Sequence, residues 1–561
     1  MRQSTTHSLP MPHALTPRAL LFPAVTLVLY LAATGYLLLS GHLHEDAYIL
    51  YIYAESLAQG NGIAYFPGGP PAEGATDFLW MALLAGAHYL GLDVAVAAGL
   101  FNGLGLGGIV FLAGRLLAPA CHGRGWYLAN AVLVAVALCS QVAQASLAGF
   151  STAFYGAFVA ATFYLLYTRP RRGLPWVPVL GITLGLLRPD GVLMGVTATL
   201  VGLYLAWHQR MLKPYLTAAL ASAAVGIAYF CWRYAYFGHL LPLPLYVKST
   251  SVTTLPGLSP HLDWLWANRL LAVLALAGLA LNAGRRRMLT AALPAAALLA
   301  AFLFATQSQN AAFRFQAPAT VVLMLWAALL PAAIAGLRQL AARPRRLLQA
   351  GAAALALVFA GGQAHSAAGI IRALQGNQYI YYFSYYLNEY LSADTTIALT
   401  EAGRFAYWAK GKKYDLVGLN TPETAIHKPS PDYLERLDPD LIFTHTAAMA
   451  GYEDVCTQDV CELTPAQALA GARHPLRWQD VSYGVQRAPL AVLKHLEQHP
   501  EAYRVFAVRY YTRHEHLYLV KKDGSIPLDD FIRTLRYSFT EDAVRSYLEM
   551  KRTPGFSGVF E

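Results

Sequence analysis

Acidic residues are scarce in the first two-thirds of this sequence. Residues 1–370 hold eight Asp and Glu side chains, and residues 371–561 hold the other twenty-four. Charged residues make up 13% of the 561-residue chain, against roughly 25% in ordinary soluble proteins, and hydrophobic residues make up 56%. The shortage of charge excludes an ordinary soluble protein and a disordered scaffold, and it predicts a protein that faces lipid.

The net charge of +10 does not indicate a nucleic-acid partner, because the basic residues are distributed in another way. Each of the two parts carries twenty-one Lys and Arg. In the first part many of them cluster between apolar runs: Arg169, Arg171 and Arg172; Arg285, Arg286 and Arg287; Arg343, Arg345 and Arg346. Such clusters are typical of cytoplasmic loops under the positive-inside rule, and phosphate binding is the alternative.

Apolar runs of the length that crosses a bilayer fill residues 1–370. Twelve candidate segments lie near 19–40, 78–92, 96–117, 127–145, 150–168, 174–187, 191–207, 215–235, 264–283, 289–305, 317–337 and 347–369. Arg2 and Arg18 precede the first, which predicts a cytoplasmic N-terminus and a retained anchor. The candidates 78–92 and 174–187 are short, and Arg188-Pro189-Asp190-Gly191 interrupts the apolar run between 174–187 and 191–207. We therefore expect about 11–13 spans, with an odd total that places residues 371–561 outside the cytoplasm.

Residues 371–561 have the composition of a nearly neutral, soluble domain. Strand-like strings at 396–400, 441–444, 503–510 and 516–520 alternate with helical stretches such as 431–437 and 464–472, which predicts an α/β fold. Cys456 and Cys461 are five residues apart and could form a disulfide in an oxidising compartment or remain two free thiols.

Five of the eight acidic residues in the first part follow the first apolar run, in a segment that we call the acid loop, residues 41–77: Glu45, Asp46, Glu55, Glu73 and Asp77. Residues 44–58 have the apolar spacing of an amphipathic helix, predicted to lie on the membrane surface, and Gly60 and Gly62 end it. A hydrated loop with no special role is one interpretation. The other is a functional carboxylate pair at the membrane, where one acid raises the proton affinity of its neighbour and can serve as a general base.

Several motifs occur in a fixed order along the chain: Glu45-Asp46-Ala47-Tyr48-Ile49, Gly60-Asn61-Gly62, Glu73-Gly74-Ala75-Thr76-Asp77-Phe78-Leu79-Trp80, Arg233-Tyr234-Ala235-Tyr236-Phe237-Gly238-His239 with Pro242 and Lys248, Phe313-Arg314-Phe315 with Pro318, Glu401-Ala402-Gly403-Arg404, and Asp415-Leu416-Val417-Gly418-Leu419-Asn420. Together they resemble the GT-C glycosyltransferases, and most of all the terminal arabinofuranosyltransferases. The resemblance covers most of residues 20–445. In that family the acid pair is usually Asp-Asp, and here its first member is Glu45.

The resemblance implies an integral membrane enzyme that takes a sugar from a polyprenyl-phosphate donor by single displacement with inversion. Asp46 is the predicted general base. Glu45 is the second choice for that role, or a group that orients the acceptor or a metal. Adjacent residues point about 100° apart on a helix, so the two carboxylates should do different work. No cofactor is firmly predicted and no metal ligand is assigned, although a divalent cation could bind where two carboxylates meet an anionic donor.

Cations near the outer surface should stabilise the charge that grows on the leaving phosphate. Lys248, Arg233 and Arg314 are the candidates, with snorkelling at the membrane interface as the alternative for each. Arg188 is a further candidate, with an internal ion pair to Asp190 as its alternative. The predicted substrate-binding set also contains Glu73, Tyr236 and His239.

The sequence thus predicts a polytopic α-helical membrane protein of GT-C type, residues 1–370, with a soluble extracytoplasmic α/β domain, residues 371–561. We expect it in the cell (inner) membrane, moving a sugar, with arabinofuranose the candidate, to a glycan, lipid or protein of the cell envelope. A flippase or transporter of lipid-linked sugars is the alternative function, and a non-catalytic assembly or receptor subunit is a third. In the soluble domain, Glu401 and Asp415 are either acceptor contacts or structural residues.

Overall fold

The computed structural model describes residues 17–119, 121–248, 255–307, 309–337, 340–376, 378–446, 450–471 and 484–551. Arg2 and the side chain of Lys248, both used in the sequence predictions, lie outside the described residues. The chain divides into two compact units. The first comprises Met1–Leu37, Ala98–Phe230 and Val252–Ala373, and the second comprises Leu38–Ala97, Cys231–Ser251 and Leu374–Glu561. The acid loop therefore belongs to the same unit as the C-terminal part of the chain.

Seventeen helices precede residue 375 in the described part of the chain. They are α1 Pro17–Ser40, α2 Glu45–Ala58, α3 Phe78–Tyr89, α4 Val94–Leu117, α5 Arg124–Cys139, α6 Gln141–Leu147, α7 Thr152–Thr168, α8 Trp176–Leu187, α9 Gly191–His208, α10 Leu212–Phe237, α11 Leu243–Lys248, α12 Leu258–Ala267, α13 Arg269–Leu281, α14 Arg285–Phe302, α15 Ala317–Ala328, α16 Leu330–Ala335 and α17 Ala342–Leu374. Each of the twelve predicted apolar segments coincides with one of these helices or with two in succession, so the helical reading of this part is confirmed.

Six helical segments within the described residues are long and apolar enough to cross a membrane, or up to eight if each of two bent helix pairs counts as one span. Three apolar helices, α3, α7 and α8, are shorter. The expected 11–13 spans had counted such short segments as full crossings, so the number of long spans is lower than predicted.

Helices α8 and α9 of the first unit pack at very short range. A Cβ atom on Gly191 would lie 2.0 Å from the carbonyl oxygen of Leu184, and one on Gly195 would lie 2.2 Å from that of Gly181. Only glycine allows two helix backbones to approach so closely. The tight hairpin places Arg188-Pro189-Asp190 at its tip, where the sequence had shown an interruption of the apolar run.

The second unit contains a mixed six-stranded sheet in the order β2-β1-β3-β6-β5-β4. Its described elements are β1 Thr396–Leu399, β2 Lys412–Asp415, β3 Leu441–His445, β4 Val460–Leu463, β5 Tyr503–Tyr510 and β6 Arg513–Lys521, with helices α18 Tyr379–Leu387, α19 Arg404–Trp408, α20 Pro422–His427, α21 Pro431–Leu437, α22 Pro465–Ala470, α23 Gly484–Gln498, α24 Leu528–Tyr537 and α25 Glu541–Lys551. Strand β1 is parallel to β2 and β3, and the other pairs are antiparallel. The α/β prediction is confirmed.

Both faces of this sheet are buried. Side chains such as Ile442 and Leu519 join the helical residues Leu434 and Leu493 in one apolar core. On the opposite face aromatic rings meet, since Phe443 stacks on Tyr518 with 4.4 Å between centroids and Phe383 packs against Tyr518 edge-on. Alternate residues along each strand thus serve different cores, as strand geometry requires.

Two expectations about the second unit are resolved by its structure. Cys456 and Cys461 form a disulfide with 5.6 Å between their Cα atoms, so the free-thiol alternative is wrong. Helix α2 ends at Ala58, before the positive-φ residues Gly60 and Gly62, as the sequence predicted. However, nine of its fourteen residues are buried, so it does not lie on a membrane surface with one open apolar face. That part of the prediction is wrong.

Candidate active site

The acid pair opens helix α2. Glu45 and Asp46 occupy its first turn, and His44 is the N-cap, whose Nδ1 accepts a hydrogen bond from the Asp46 amide at 3.3 Å. Carboxylates are favoured at this end of a helix, because the unpaired amides and the helix dipole are positive there. Both acids are partly exposed, whereas the rest of the helix is largely buried. His44 is therefore a structural polar contact.

Glu45 lies against Gly403 of the second unit. A Cβ atom on Gly403 would come within 2.0 Å of the Glu45 carbonyl oxygen and 2.8 Å of its Cγ. The Gly403 amide also donates a hydrogen bond to the Glu45 carboxyl group. Burial, and next the charge of Glu401, raise the pKa of Glu45 well above its ordinary value, against the opposing effects of Arg404 and the Gly403 amide. Glu45 thus has a different environment from that of an open surface acid.

Glu401 is the centre of a buried charged cluster. It is fully buried, accepts hydrogen bonds from Arg404, and lies 3.1 Å from the Nε2 atom of His445. Arg404 also donates to the Tyr510 hydroxyl at 2.9 Å and to Gln378. Burial disfavours the charge of Glu401, but Arg404 and His445 outweigh it and lower the pKa of this carboxyl to about 2. Such a residue cannot meet an acceptor, so its structural alternative is supported.

Glu73 and Arg233, both predicted to bind substrate, are paired with each other. The Arg233 Nε atom donates to Glu73 Oε1 at 2.6 Å, its Nη2 donates to Oε2 at 2.5 Å, and its Nη1 donates to the Leu240 carbonyl at 2.8 Å. The two residues are 6% and 4% exposed. Burial raises the pKa of Glu73, although Arg233 opposes that shift. This guanidinium is thus not at the surface, and the snorkelling alternative does not describe it.

Tyr236 and His239 belong to the same end of α10. The Tyr236 hydroxyl accepts a hydrogen bond from the Ile63 amide at 3.1 Å, and the His239 carbonyl accepts one from Arg233 Nη1 at 3.4 Å. Gly62 fits here because a Cβ atom would lie 2.8 Å from the Tyr236 hydroxyl. These contacts fix the turn of the acid loop beyond α2. Trp80, which lies in α3 just after the acid loop, is fully buried and is a core residue.

In the first unit the structure brings two of the predicted arginines to one aromatic ring. The Cζ atoms of Arg314 and Arg188 lie 5.2 Å and 5.8 Å from the centroid of Phe315. Arg314 also lies 3.8 Å from the Phe150 centroid. Arg188 is 6% exposed and forms a two-point ion pair with Asp190 at 2.9 Å and 3.1 Å. The internal ion pair predicted as the alternative for Arg188 is therefore present.

Contacts that no motif in the sequence indicated tie the acid loop to the C-terminal part of the second unit. Tyr407 donates to Glu55 at 2.5 Å, and Tyr53 donates to Asn420 at 3.2 Å. Asp415, fully buried, accepts hydrogen bonds from the Val417 amide and from both the amide and the side chain of Asn420. The Glu401–Arg404 and Asp415–Asn420 motifs were visible in the sequence, but their partners in the acid loop were not.

No group of three or more His, Cys, Asp or Glu residues that could hold a metal occurs among the described residues. An apolar cavity of about 430 Å³ lies in the first unit, lined by α5, α13, α15–α17 and neighbouring residues. None of the predicted site residues lines it.

Comparison with known proteins shows the fold. Residues 370–513 match a family described as a domain of unknown function, DUF8728. No curated protein matches the chain. The crystal structure of ArnT from Cupriavidus metallidurans bound to undecaprenyl phosphate is similar with a TM-score of 0.53 and 14% identity, covering 92% of this chain and all of that one. The apo structure of the same ArnT gives a TM-score of 0.50 and 15% identity over 78% of this chain and 96% of that one.

The oligosaccharyltransferase of Archaeoglobus fulgidus is a more distant likeness, with a TM-score of 0.41 and 13% identity over 76% of this chain and 70% of that one. The two ArnT structures establish that this chain has the fold of the GT-C glycosyltransferases, as the resemblance implied. With the long apolar helices, that fold makes the chain a multi-pass membrane protein.

Proposed function

We propose that this protein is a GT-C glycosyltransferase that moves a sugar from a polyprenyl-phosphate donor to an acceptor outside the cytoplasm. The observation that carries the proposal is the likeness, over 92% of this chain, to a structure of ArnT that holds undecaprenyl phosphate. The acid pair at the start of α2 supports it, because displacement by a hydroxyl at a sugar carbon needs a base to accept the hydroxyl proton, and a carboxylate can fill that role.

In the proposed reaction an acceptor hydroxyl attacks the anomeric carbon of the donor. The bond from that carbon to the phosphate oxygen breaks, the polyprenyl phosphate leaves with the electron pair, and the configuration inverts. Asp46 takes the hydroxyl proton. Glu45 orients the loop or the acceptor, because the Gly403 amide holds its carboxyl group. A phosphate is a good leaving group, so the step needs positive charge near it more than a separate acid.

Arg314, which lies beside Phe315, is our candidate for that positive charge, whereas the Asp190 carboxylate neutralises Arg188. Lys248 remains a candidate from the sequence. Arg233 and Glu73 neutralise each other, and we propose that with Tyr236 and His239 they fix the acid loop rather than contact the donor phosphate.

The proposed location is the cell inner membrane, with the N-terminus in the cytoplasm and residues 371–561 outside it. The Cys456–Cys461 disulfide supports this orientation, because such bonds persist in oxidising compartments. Arabinofuranose is the proposed sugar, on the sequence resemblance alone, and the acceptor is a glycan, a lipid or a protein of the envelope.

The experiment that tests this function is incubation of the purified, detergent-solubilised protein with a panel of polyprenyl-phosphate sugars, one of them the arabinofuranose donor. Release of the polyprenyl phosphate, measured by mass spectrometry, is the expected result with at least one donor. A folded sample that consumes none of them would contradict the proposal. Movement of a donor across proteoliposome membranes, unchanged by Asp46→Asn, would instead favour the transporter.

A further inference from the structure

The acid loop is held at three places by residues 400–420, which lie within the segment that matches the domain of unknown function. From this we infer that this domain positions the acid pair for the reaction. The inference rests on the proposed function, and it assigns a role to a region that matches a domain of unknown function. All the contacts that support it lie within the second unit.

The first contact is made by the turn that leads into α19. Its Gly403 packs on the Glu45 backbone so closely that no side chain fits between them. One residue earlier, the Ala402 carbonyl accepts a hydrogen bond from Tyr65 of the acid loop at 2.5 Å. The Glu401–Arg404 ion pair lies on both sides of this turn, buried, and holds its shape. A rigid turn therefore determines where Glu45 lies.

The second contact is made near the end of α2. The Tyr407 hydroxyl donates to Glu55, which is 3% exposed. Tyr407 also packs against Tyr48, with 4.9 Å between ring centroids. Tyr407 of α19 therefore contacts α2 at Tyr48 in the first turn of α2 and at Glu55 in its last turn, and Gly403, which precedes α19, contacts Glu45.

The third contact uses the turn after β2. Asp415 accepts hydrogen bonds from the amides of Val417 and Asn420 and from the Asn420 side chain, which fixes the Asn420 carboxamide. The oxygen of that carboxamide accepts from Tyr53 of α2 at 3.2 Å. A Cβ atom on Gly74 would lie 2.0 Å from the same oxygen, so the other end of the acid loop also packs there.

The alternative role for this domain was acceptor recognition through Glu401 and Asp415. Both carboxylates are fully buried and already accept several hydrogen bonds from the protein. They cannot offer oxygens to an external acceptor without unfolding their turns. The two carboxylates instead hold the turns that contact the acid loop, which favours positioning over recognition.

The test uses Gly403→Ala in the full-length protein, with Gly471→Ala as the matched control. Neither glycine has a positive φ, and a Cβ atom on Gly471 would be similarly crowded, 2.5 Å from Tyr452 and away from the acid loop. We expect Gly403→Ala to lower kcat about 100-fold, since small displacements of reacting groups cost that much, with undecaprenyl phosphate binding unchanged. Gly471→Ala should keep the wild-type kcat.

Two further measurements separate positioning from general damage. Hydrogen–deuterium exchange should increase in residues 44–58 of Gly403→Ala and stay unchanged in β3, β5 and β6. The effects of Gly403→Ala and Glu45→Gln on kcat should be non-additive, because both act on one carboxylate. If Gly403→Ala folds poorly, Tyr407→Phe, which removes one hydroxyl, should show the same exchange pattern to a smaller extent.

Wild-type kcat and wild-type exchange in both Gly403→Ala and Tyr407→Phe would overturn the inference. Additive effects with Glu45→Gln would also overturn it. If the wild-type protein consumes no donor, but Gly403→Ala still frees residues 44–58, then the proposed function fails while the structural role of the domain stands.

Discussion

Glu73 and Arg233, 160 residues apart in sequence, form a buried two-point ion pair at 2.6 Å and 2.5 Å. The pair joins the acid loop to the end of the long apolar helix α10, and Arg233 also donates to the backbone that follows this helix. A buried charge that keeps its partner is tolerated, and the same charge without its partner is strongly destabilising. Arg233, at the end of α10, therefore balances the buried charge of Glu73 in the acid loop.

The first prediction concerns this pair. Glu73→Gln or Arg233→Met alone should lower the free energy of unfolding by about 3–5 kcal/mol, because each leaves one buried charge without its partner. The double variant Glu73→Leu with Arg233→Met should recover most of that loss. Thermal unfolding in detergent measures both. A double variant less stable than either single one would show that the charges themselves are required.

The second prediction concerns Asp46. Asp46→Asn should lower kcat about 10²–10⁴-fold, the usual contribution of a general base, while undecaprenyl phosphate binding and thermal stability stay at wild-type values. Asp394→Asn is the control, because that side chain is 91% exposed in the same unit and should change nothing. Full activity of Asp46→Asn would show that Glu45 or another group is the general base.

The position of every apolar helix could be predicted from the sequence, because a helix that crosses a membrane needs a long run of apolar residues. Four strands of the C-terminal sheet were also predictable from their apolar character. Strand β2, Lys-Lys-Tyr-Asp, was not, because Lys413 is a polar residue that only the tertiary structure buries.

The candidate site was only half predictable. Glu45 and Asp46 were identified from their position after the first apolar run. The pairing of Glu73 with Arg233, and that of Glu55 with Tyr407, could not be, since these partners lie 160 and 352 residues apart. From sequence alone, a charged residue that binds a substrate looks the same as one that pairs with a buried partner. Only the fold distinguishes the two.

The third prediction is a pH dependence of stability caused by Glu55. Burial raises the pKa of Glu55 to about 7, above an unfolded value of about 4.3. The folded protein therefore holds a proton that the unfolded chain releases, and stability falls as the pH rises from about 4.3 to about 7, by at most about 4 kcal/mol. Thermal unfolding across this range should show Glu55→Gln gaining stability relative to wild type as the pH rises.

Glu501→Gln serves as the control for this series, because the Glu501 side chain is 92% exposed. Its unfolding temperature should follow that of the wild type at every pH. If Glu55→Gln also follows the wild type, Glu55 is ionised in the folded protein and its burial does not hold it neutral.

The fourth prediction concerns the Cys456–Cys461 disulfide and the side of the membrane on which it lies. Labelling with a large maleimide reagent in denaturant should modify the three free thiols, Cys121, Cys139 and Cys231, and two more after reduction. The bond should form where this part of the chain faces an oxidising compartment. Cys456→Ser with Cys461→Ser should lower stability by about 2 kcal/mol, the value expected for closing so short a loop. Five thiols reactive without reduction in protein from native membranes would place this domain in the cytoplasm and contradict the proposed orientation.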